Sequence, residues 1–253
     1  MEILEFGNEE KEKIILIHGF QSPYQVWDDY IKYYEKNYHI IVPILQGHNI
    51  KVKDNFSSFK DCVKEIEDYY ISRYGYDVYA IFGMSMGGII AANIWQSNRL
   101  NIKNIIFDGS PLVSYPKIMK SYFVNFYLNV THKSQQRDKK TIEQAINSII
   151  SEDKLEEFLQ VLDNMSDITI KNYLNEWANY KLPKDIDKTK TKVYYYHGTK
   201  LNEMLAKRTA KYLKKYYPNS KIICFKGKGH CEVSLMKPKE MIKELDKVLV
   251  KKK

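Results

Sequence analysis

One serine set among glycines constrains this chain more than any other feature. The stretch AIFGMSMGGIIAANIW runs from Ala80 to Trp95. An apolar run of strand type ends at Phe82, Gly83-Met84-Ser85-Met86-Gly87-Gly88 follows, and a run of helical type begins. A side chain that projects from so sharp a strand-to-helix turn imposes strained torsions on its own residue, and the two arms of the turn nearly touch. Glycines two before and two after the serine meet that need. Such a turn lifts the Ser85 hydroxyl out of the sheet and aims the first helical N–H groups at the same spot. The bland alternative is a glycine-rich turn with an anion site at a helix N-terminus.

The rest of the chain alternates in the same way. Strand-like runs lie at Lys13–His18, His39–Leu45, Asp77–Phe82, Lys103–Phe107, Lys192–His197 and Lys221–Phe225. Helical spacing fills Val26–Tyr34, Phe56–Tyr74, Gly87–Gln96, Asn202–Tyr217 and Val233–Val250. Continuous apolar strands separated by helices predict an α/β fold with a mostly parallel sheet covered on both faces. Between about Leu112 and Pro183 the rhythm stops and the patterns are all helical, with Thr141 and Gln144 placed as a capping box. This divides the chain into a core of residues 1–111 and 184–253 and a helical insert of 112–183, which includes the return helix. The insert is either further scaffold or a cap over the strand ends, where open α/β sheets bind their ligands.

Composition narrows the function. A chain of 253 residues, 44% hydrophobic, can bury one large core. The N-terminus lacks the apolar stretch of a secretory signal, and no run is long enough to span a bilayer. Three cysteines without metal-like spacing (Cys62, Cys224, Cys231) suit a reducing, cytoplasmic compartment and no metal site. The net charge of +9 raises nucleic acid as a partner, but the lysines are scattered and no nucleic-acid motif accompanies them.

A serine hydroxyl becomes a nucleophile only with a base, a group that orients the base, and donors for the oxyanion. His230, in FKGKGHCE just past the last strand, is the candidate base; Gly227 and Gly229 let that loop turn back. His197 and His39 lie in strand runs, and His132 sits in a polar part of the insert.

With these residues in view, the chain resembles the α/β-hydrolase fold serine hydrolases of the small, capped esterase and lipase-like group. The matching stretches are His18-Gly19-Phe20, Gln46-Gly47-His48, Gly83-Met84-Ser85-Met86-Gly87-Gly88 and Gly229-His230, in the family's order and across most of the chain. The resemblance implies a helical cap inserted after the sixth fold strand. It implies oxyanion-hole N–H groups from Phe20 and Met86, and structural roles for His18 and His48. It also implies an acid in the loop after His197-Gly198 or at the end of the preceding strand. Glu203 meets the first expectation and keeps the order serine, acid, histidine; Asp108 meets the second. As a bare residue, Glu203 also suits the first turn of a helix, and Asp108 a turn before Gly109.

The implied activity is cleavage of a small, apolar carboxylic ester through a Ser85 acyl-enzyme, with no cofactor. Rival readings are a slow-turnover or non-catalytic small-molecule binder on the same fold, an acyltransferase, and a carbon–carbon hydrolase. Aromatics of the insert (Tyr115, Tyr122, Phe123, Phe126, Tyr127, Trp177) form either an apolar acyl pocket or core.

Overall fold

The computed structural model describes residues 1–116, 118–186 and 190–250. Its sheet contains β1 (Glu2–Phe6), β2 (Lys13–Ile17), β3 (His39–Ile44), β4 (Asp77–Met84), β5 (Asn101–Asp108), β6 (Lys192–Gly198) and β7 (Lys221–Phe225). The order across the sheet is β1-β3-β2-β4-β5-β6-β7. β1 runs antiparallel to β3, and every other neighbouring pair is parallel.

Strand periodicity explains why the sheet is covered twice. In KIILI, Ile15 and Ile17 point into one apolar layer and Ile14 and Leu16 into the other, all at most 2% exposed. In KVYYYH, Val193 and Tyr195 join the first layer, Tyr194 and Tyr196 the second. Each such aliphatic side chain contributes about 2 kcal/mol of burial free energy.

Helices α1 (Asp28–Tyr34), α2 (Phe59–Tyr74) and α3 (Met86–Ser97) follow the early strands. α2 begins at Ser58, whose side chain accepts from the Asp61 N–H, and ends at Gly75. Between β5 and β6 lie α4 (Met119–Gln135), α5 (Lys139–Ile146), α6 (Leu155–Asn164) and α7 (Asp167–Asn179), and no strand among the described residues. α8 (Met204–Tyr216), α9 (Glu232–Met236) and α10 (Pro238–Leu249) complete the chain.

The helical segment is joined to both apolar layers. Val161, Tyr173, Leu174 and Trp177 belong to the first; Ala145, Phe158, Leu159 and Leu162 belong to the second. Its two ends also meet, for the Leu182 N–H donates to the Leu112 carbonyl at 2.9 Å. The Leu112 N–H in turn donates to Thr209 Oγ1 of α8 at 3.0 Å.

Three details differ from the sequence reading. β1 is absent from the strand-like runs above; EILEF pairs with β3 at the sheet edge, where only partial burial is required. The helical segment follows β5. Asp138 caps α5, accepting from Thr141 N–H, so Thr141 is not the capping residue. The closing helix is broken in two at Lys237, because Pro238 has no N–H to continue α9 and instead opens α10 at a first-turn position.

Candidate active site

β4 delivers its last residues to the C-terminal edge of the sheet, and α3 starts at once. Ser85, between them, has φ 52° and ψ −116°, a strained pair for a residue with a side chain. The glycines around it are required by contact. A Cβ at Gly83 would stand 2.6 Å from the Gly87 carbonyl oxygen, and one at Gly87 would collide with the carbonyls of Ile17 and His18 on β2 and its loop. The Ser85 N–H donates to the Asp108 carbonyl at 2.7 Å, which ties the turn to the end of β5.

His230, in the loop between β7 and α9, stands over this turn with Nε2 2.8 Å from Ser85 Oγ. Its Nδ1 lies 3.2 Å from Glu203 Oε1. Glu203 belongs to a 3-10 turn, Leu201–Glu203, that leads into α8, and it is fully buried. The Cys231 N–H donates to the same oxygen at 3.3 Å, while Oε2 is buried with no hydrogen-bond partner among the described residues. Burial alone would push the His230 imidazole toward its neutral form. The Glu203 hydrogen bond and charge, with the charge of Asp108, outweigh it and raise the pKa above the ordinary 6.5. Hydroxyl, imidazole and carboxylate thus form one line. Such a line can move a proton off the serine and stabilise the imidazolium that results.

Asp108 is also buried, but its carboxylate accepts from the Ser234 hydroxyl of α9. Burial raises its pKa to about 7, against the Ser234 bond, with Glu203 adding to the rise and His230 opposing it. The structure therefore sets Glu203 against the imidazole and Asp108 against a hydroxyl beneath it.

The loop after β2 lies beside Ser85: a Cβ at Gly19 would be 3.5 Å from Ser85 Cβ. Phe20 follows it, and Met86 is the first residue of α3, where an N–H has no intrahelical partner. Two histidines hold this loop. His18 Nε2 accepts from the Leu45 N–H at 3.1 Å, and its Nδ1 meets the Gly19 carbonyl at 2.9 Å. His48 Nε2 accepts from the Gln21 N–H at 2.9 Å. Gln21 has φ 60°, and its side chain donates to Thr131 Oγ1 of α4 at 2.6 Å. The loop is thus gripped from both sides, by His48 from the core and by α4 from above. Gln21 and Thr131 lie 110 positions apart and carry no sequence signal of their pairing.

Both loop histidines must stay neutral to accept. Burial lowers the His18 pKa to about 4, against the Gly19 hydrogen bond, and lowers that of His48 well below 6.5. The sign is then fixed: the unfolded chain binds these protons first, so the stabilisation is complete above pH 6.5 and is lost as the pH falls toward 4. For His18 it amounts to about 3 kcal/mol. Asp108 works oppositely across part of this window, so a variant is the proper comparison. In urea melts between pH 7 and 4.5, His48→Gln should lose less stability on acidification than the wild type. Parallel losses would show that the imidazole is not held neutral.

His197 is buried in β6 against the Gly198 carbonyl, and His39 is bonded to Glu5 and Tyr74. His132 is half exposed and pairs with Asp167. Of the insert's aromatics, Tyr115 and Trp177 are core, Phe123 and Tyr127 are partly buried, and Tyr122 and Phe126 face solvent. Tyr127 packs edge-on to Phe20, with ring centroids 5.2 Å apart. Among the described residues there is no cluster of His, Cys, Asp and Glu that could hold a metal ion, and no helix long and apolar enough to cross a membrane.

Comparison with known proteins agrees with this architecture. A pimeloyl-[acyl-carrier protein] methyl ester esterase of Legionella pneumophila (strain Corby) is 24% identical over 222 residues, covering 86% of this chain and 87% of that protein. A solved structure from work on carboxylesterases of Nitrososphaera gargenis superposes with a TM-score of 0.77 at 17% identity, over 98% of this chain and 93% of that one. An esterase from Exiguobacterium antarcticum gives 0.76 at 15% identity, over 98% and 95%. These likenesses show the α/β-hydrolase fold. Residues 20–213 match the PGAP1-like alpha/beta domain. The chain therefore belongs to the PGAP1-like alpha/beta domain family, an esterase- and lipase-like branch of the α/β-hydrolase fold.

Proposed function

We propose that this protein is a serine hydrolase of carboxylic esters. The observation that carries the reading is the unbroken line from Ser85 Oγ through His230 to the buried Glu203, built on a strained elbow. His230 takes the Ser85 proton as Oγ attacks the ester carbonyl. The Phe20 and Met86 N–H groups receive the oxyanion; one such donor is worth about 10²- to 10³-fold in rate. His230 then protonates the departing alcohol, and water repeats the sequence to release the acid. Glu203 keeps the imidazole in the right tautomer and stabilises its charged form.

The residue 112–183 segment acts as the cap. Partly buried Phe20, Phe123 and Tyr127 near its inner face favour a small, apolar acyl group. The Legionella relative's methyl ester substrate supports the same class. The three cysteines are unpaired, in keeping with a reducing compartment.

Labelling with a fluorophosphonate, read by peptide mass spectrometry alongside p-nitrophenyl acetate turnover, tests the reading. Stoichiometric modification at Ser85 that disappears in His230→Ala is the expected result. A folded sample that neither labels nor turns over the ester would leave a binding protein instead.

A further inference from the structure

The loop after β2 is held by one side-chain bond that the sheet core does not supply. Its Phe20 N–H, which the ester-hydrolase reading gives to the oxyanion, donates to no atom among the described residues. The direction of that N–H is set through its own peptide. His18 Nδ1 donates to the Gly19 carbonyl at 2.9 Å, and the Ser22 N–H donates to the same oxygen at 3.3 Å. In a trans, planar peptide the Phe20 N–H then points the opposite way. The next peptide is fixed by the Gln21 N–H, which donates to His48 Nε2 at 2.9 Å. Two histidines therefore hold the backbone on either side of Phe20.

Gln21 makes a demand that the histidines do not meet. Its φ of 60° lies in the left-handed region, where a residue with a side chain is strained. Such a conformation persists only where the surroundings over-determine it. The added constraint comes from its side chain. Gln21 Nε2 donates to Thr131 Oγ1 at 2.6 Å, and the two residues are 7% and 0% exposed. Thr131 gives its own proton to the Tyr127 carbonyl one turn back on α4, at 2.8 Å. The helix thus presents this hydroxyl to the loop as an acceptor, matched to the amide N–H of Gln21. The Phe20 ring is held by the same helical segment. Its centroid lies 5.2 Å from that of Tyr127 on α4 and 5.0 Å from that of Tyr173 on α7.

We propose that Gln21 and Thr131 are positioning residues for the Phe20 N–H, so that the seat of α4 on the core sets the rate of the chemical step. Neither residue meets the reacting atoms; both act through the backbone of the loop. An oxyanion donor works by being in place before charge develops. A misplacement of about 1 Å can cost about 10²-fold in rate. This role rests on the ester-hydrolase reading of Ser85, and adds to it a way for the helical segment to govern turnover without contacting substrate.

Steady-state kinetics of the purified full chain on p-nitrophenyl acetate test the role. Thr131→Val keeps the shape and removes the acceptor. It is expected to lower kcat about 10- to 100-fold while KM changes less than about threefold. Gln21→Met should do the same, and supplies the measurement if valine at the buried position 131 unfolds the chain. The double variant should be no slower than either single one, because each removes the same bond. Thr131→Ser should return kcat to within about threefold of the wild type. The pH midpoint that reports His230 should stay in place throughout. An alkyl trifluoromethyl ketone, whose serine adduct carries an oxyanion, should lose affinity by the same factor as kcat/KM. Wild-type kcat in either single variant, additive losses in the double variant, or a raised KM with kcat retained overturns the role alone. A wild-type chain that neither labels at Ser85 nor turns over the ester overturns the hydrolase reading, and this role with it.

Discussion

Replacing Ser85 by alanine is expected to lower kcat for an activated ester on the order of 10⁶-fold, with the fold and thermal midpoint retained. The size of the loss follows from the geometry. Ser85 Oγ is 2.8 Å from the His230 imidazole, and a methyl group offers neither nucleophile nor proton. Under the proposed mechanism the Phe20 and Met86 N–H donors and substrate binding remain, worth about 10³- to 10⁴-fold over water. Because φ at Ser85 is positive, alanine inherits the same backbone strain, so stability is a control rather than a readout. Single-turnover kinetics on the purified variant decide the matter. Hydrolysis near the wild-type rate would remove Ser85 from the mechanism, and His230 and Glu203 with it.

Glu203→Gln should cost about 10³- to 10⁴-fold in kcat, the loss that follows when the imidazole's orienting carboxylate loses its charge. The amide is nearly isosteric and can still accept from the Cys231 N–H, so the change falls mainly on His230. A pH profile separates this from a structural effect. The neutral imidazole is the active form, and its pKa in the wild type lies above 6.5, so activity rises with pH through a midpoint above that value. Without the Glu203 bond and charge, burial dominates and the midpoint moves down. Asp108→Asn should leave both rate and midpoint far less changed, since that carboxyl is engaged by Ser234. The reverse ranking of the two variants would make Asp108 the orienting acid.

The legible parts of this molecule were those governed by local rules. The Gly83, Ser85 and Gly87 spacing reports a steric demand made within five residues, and the buried strands report a period of two. The parallel, doubly covered sheet follows from the same alternation, whereas its strand order is visible only in the fold. The choice between Glu203 and Asp108 was not local. Both carboxylates are buried at the same edge, and what separates them is which neighbour each meets, His230 or Ser234. β1 escaped notice because an edge strand with one partner tolerates charged residues such as Glu2 and Glu5. The Gln21–Thr131 bond joins two segments whose proximity exists only once the chain is folded.

The hydrogen bond from Leu182 to Leu112 has a consequence for the history of such a chain. Seventy positions of sequence leave the sheet and return to nearly the point of departure. For β5 and β6, which pair directly and in parallel, the whole excursion is equivalent to a short loop within their crossover connection. Material can be added to, removed from or exchanged within that closed loop without altering the register of the strands it joins. The sheet and the helical segment it carries can therefore diversify at different rates, one conserving geometry while the other explores surfaces.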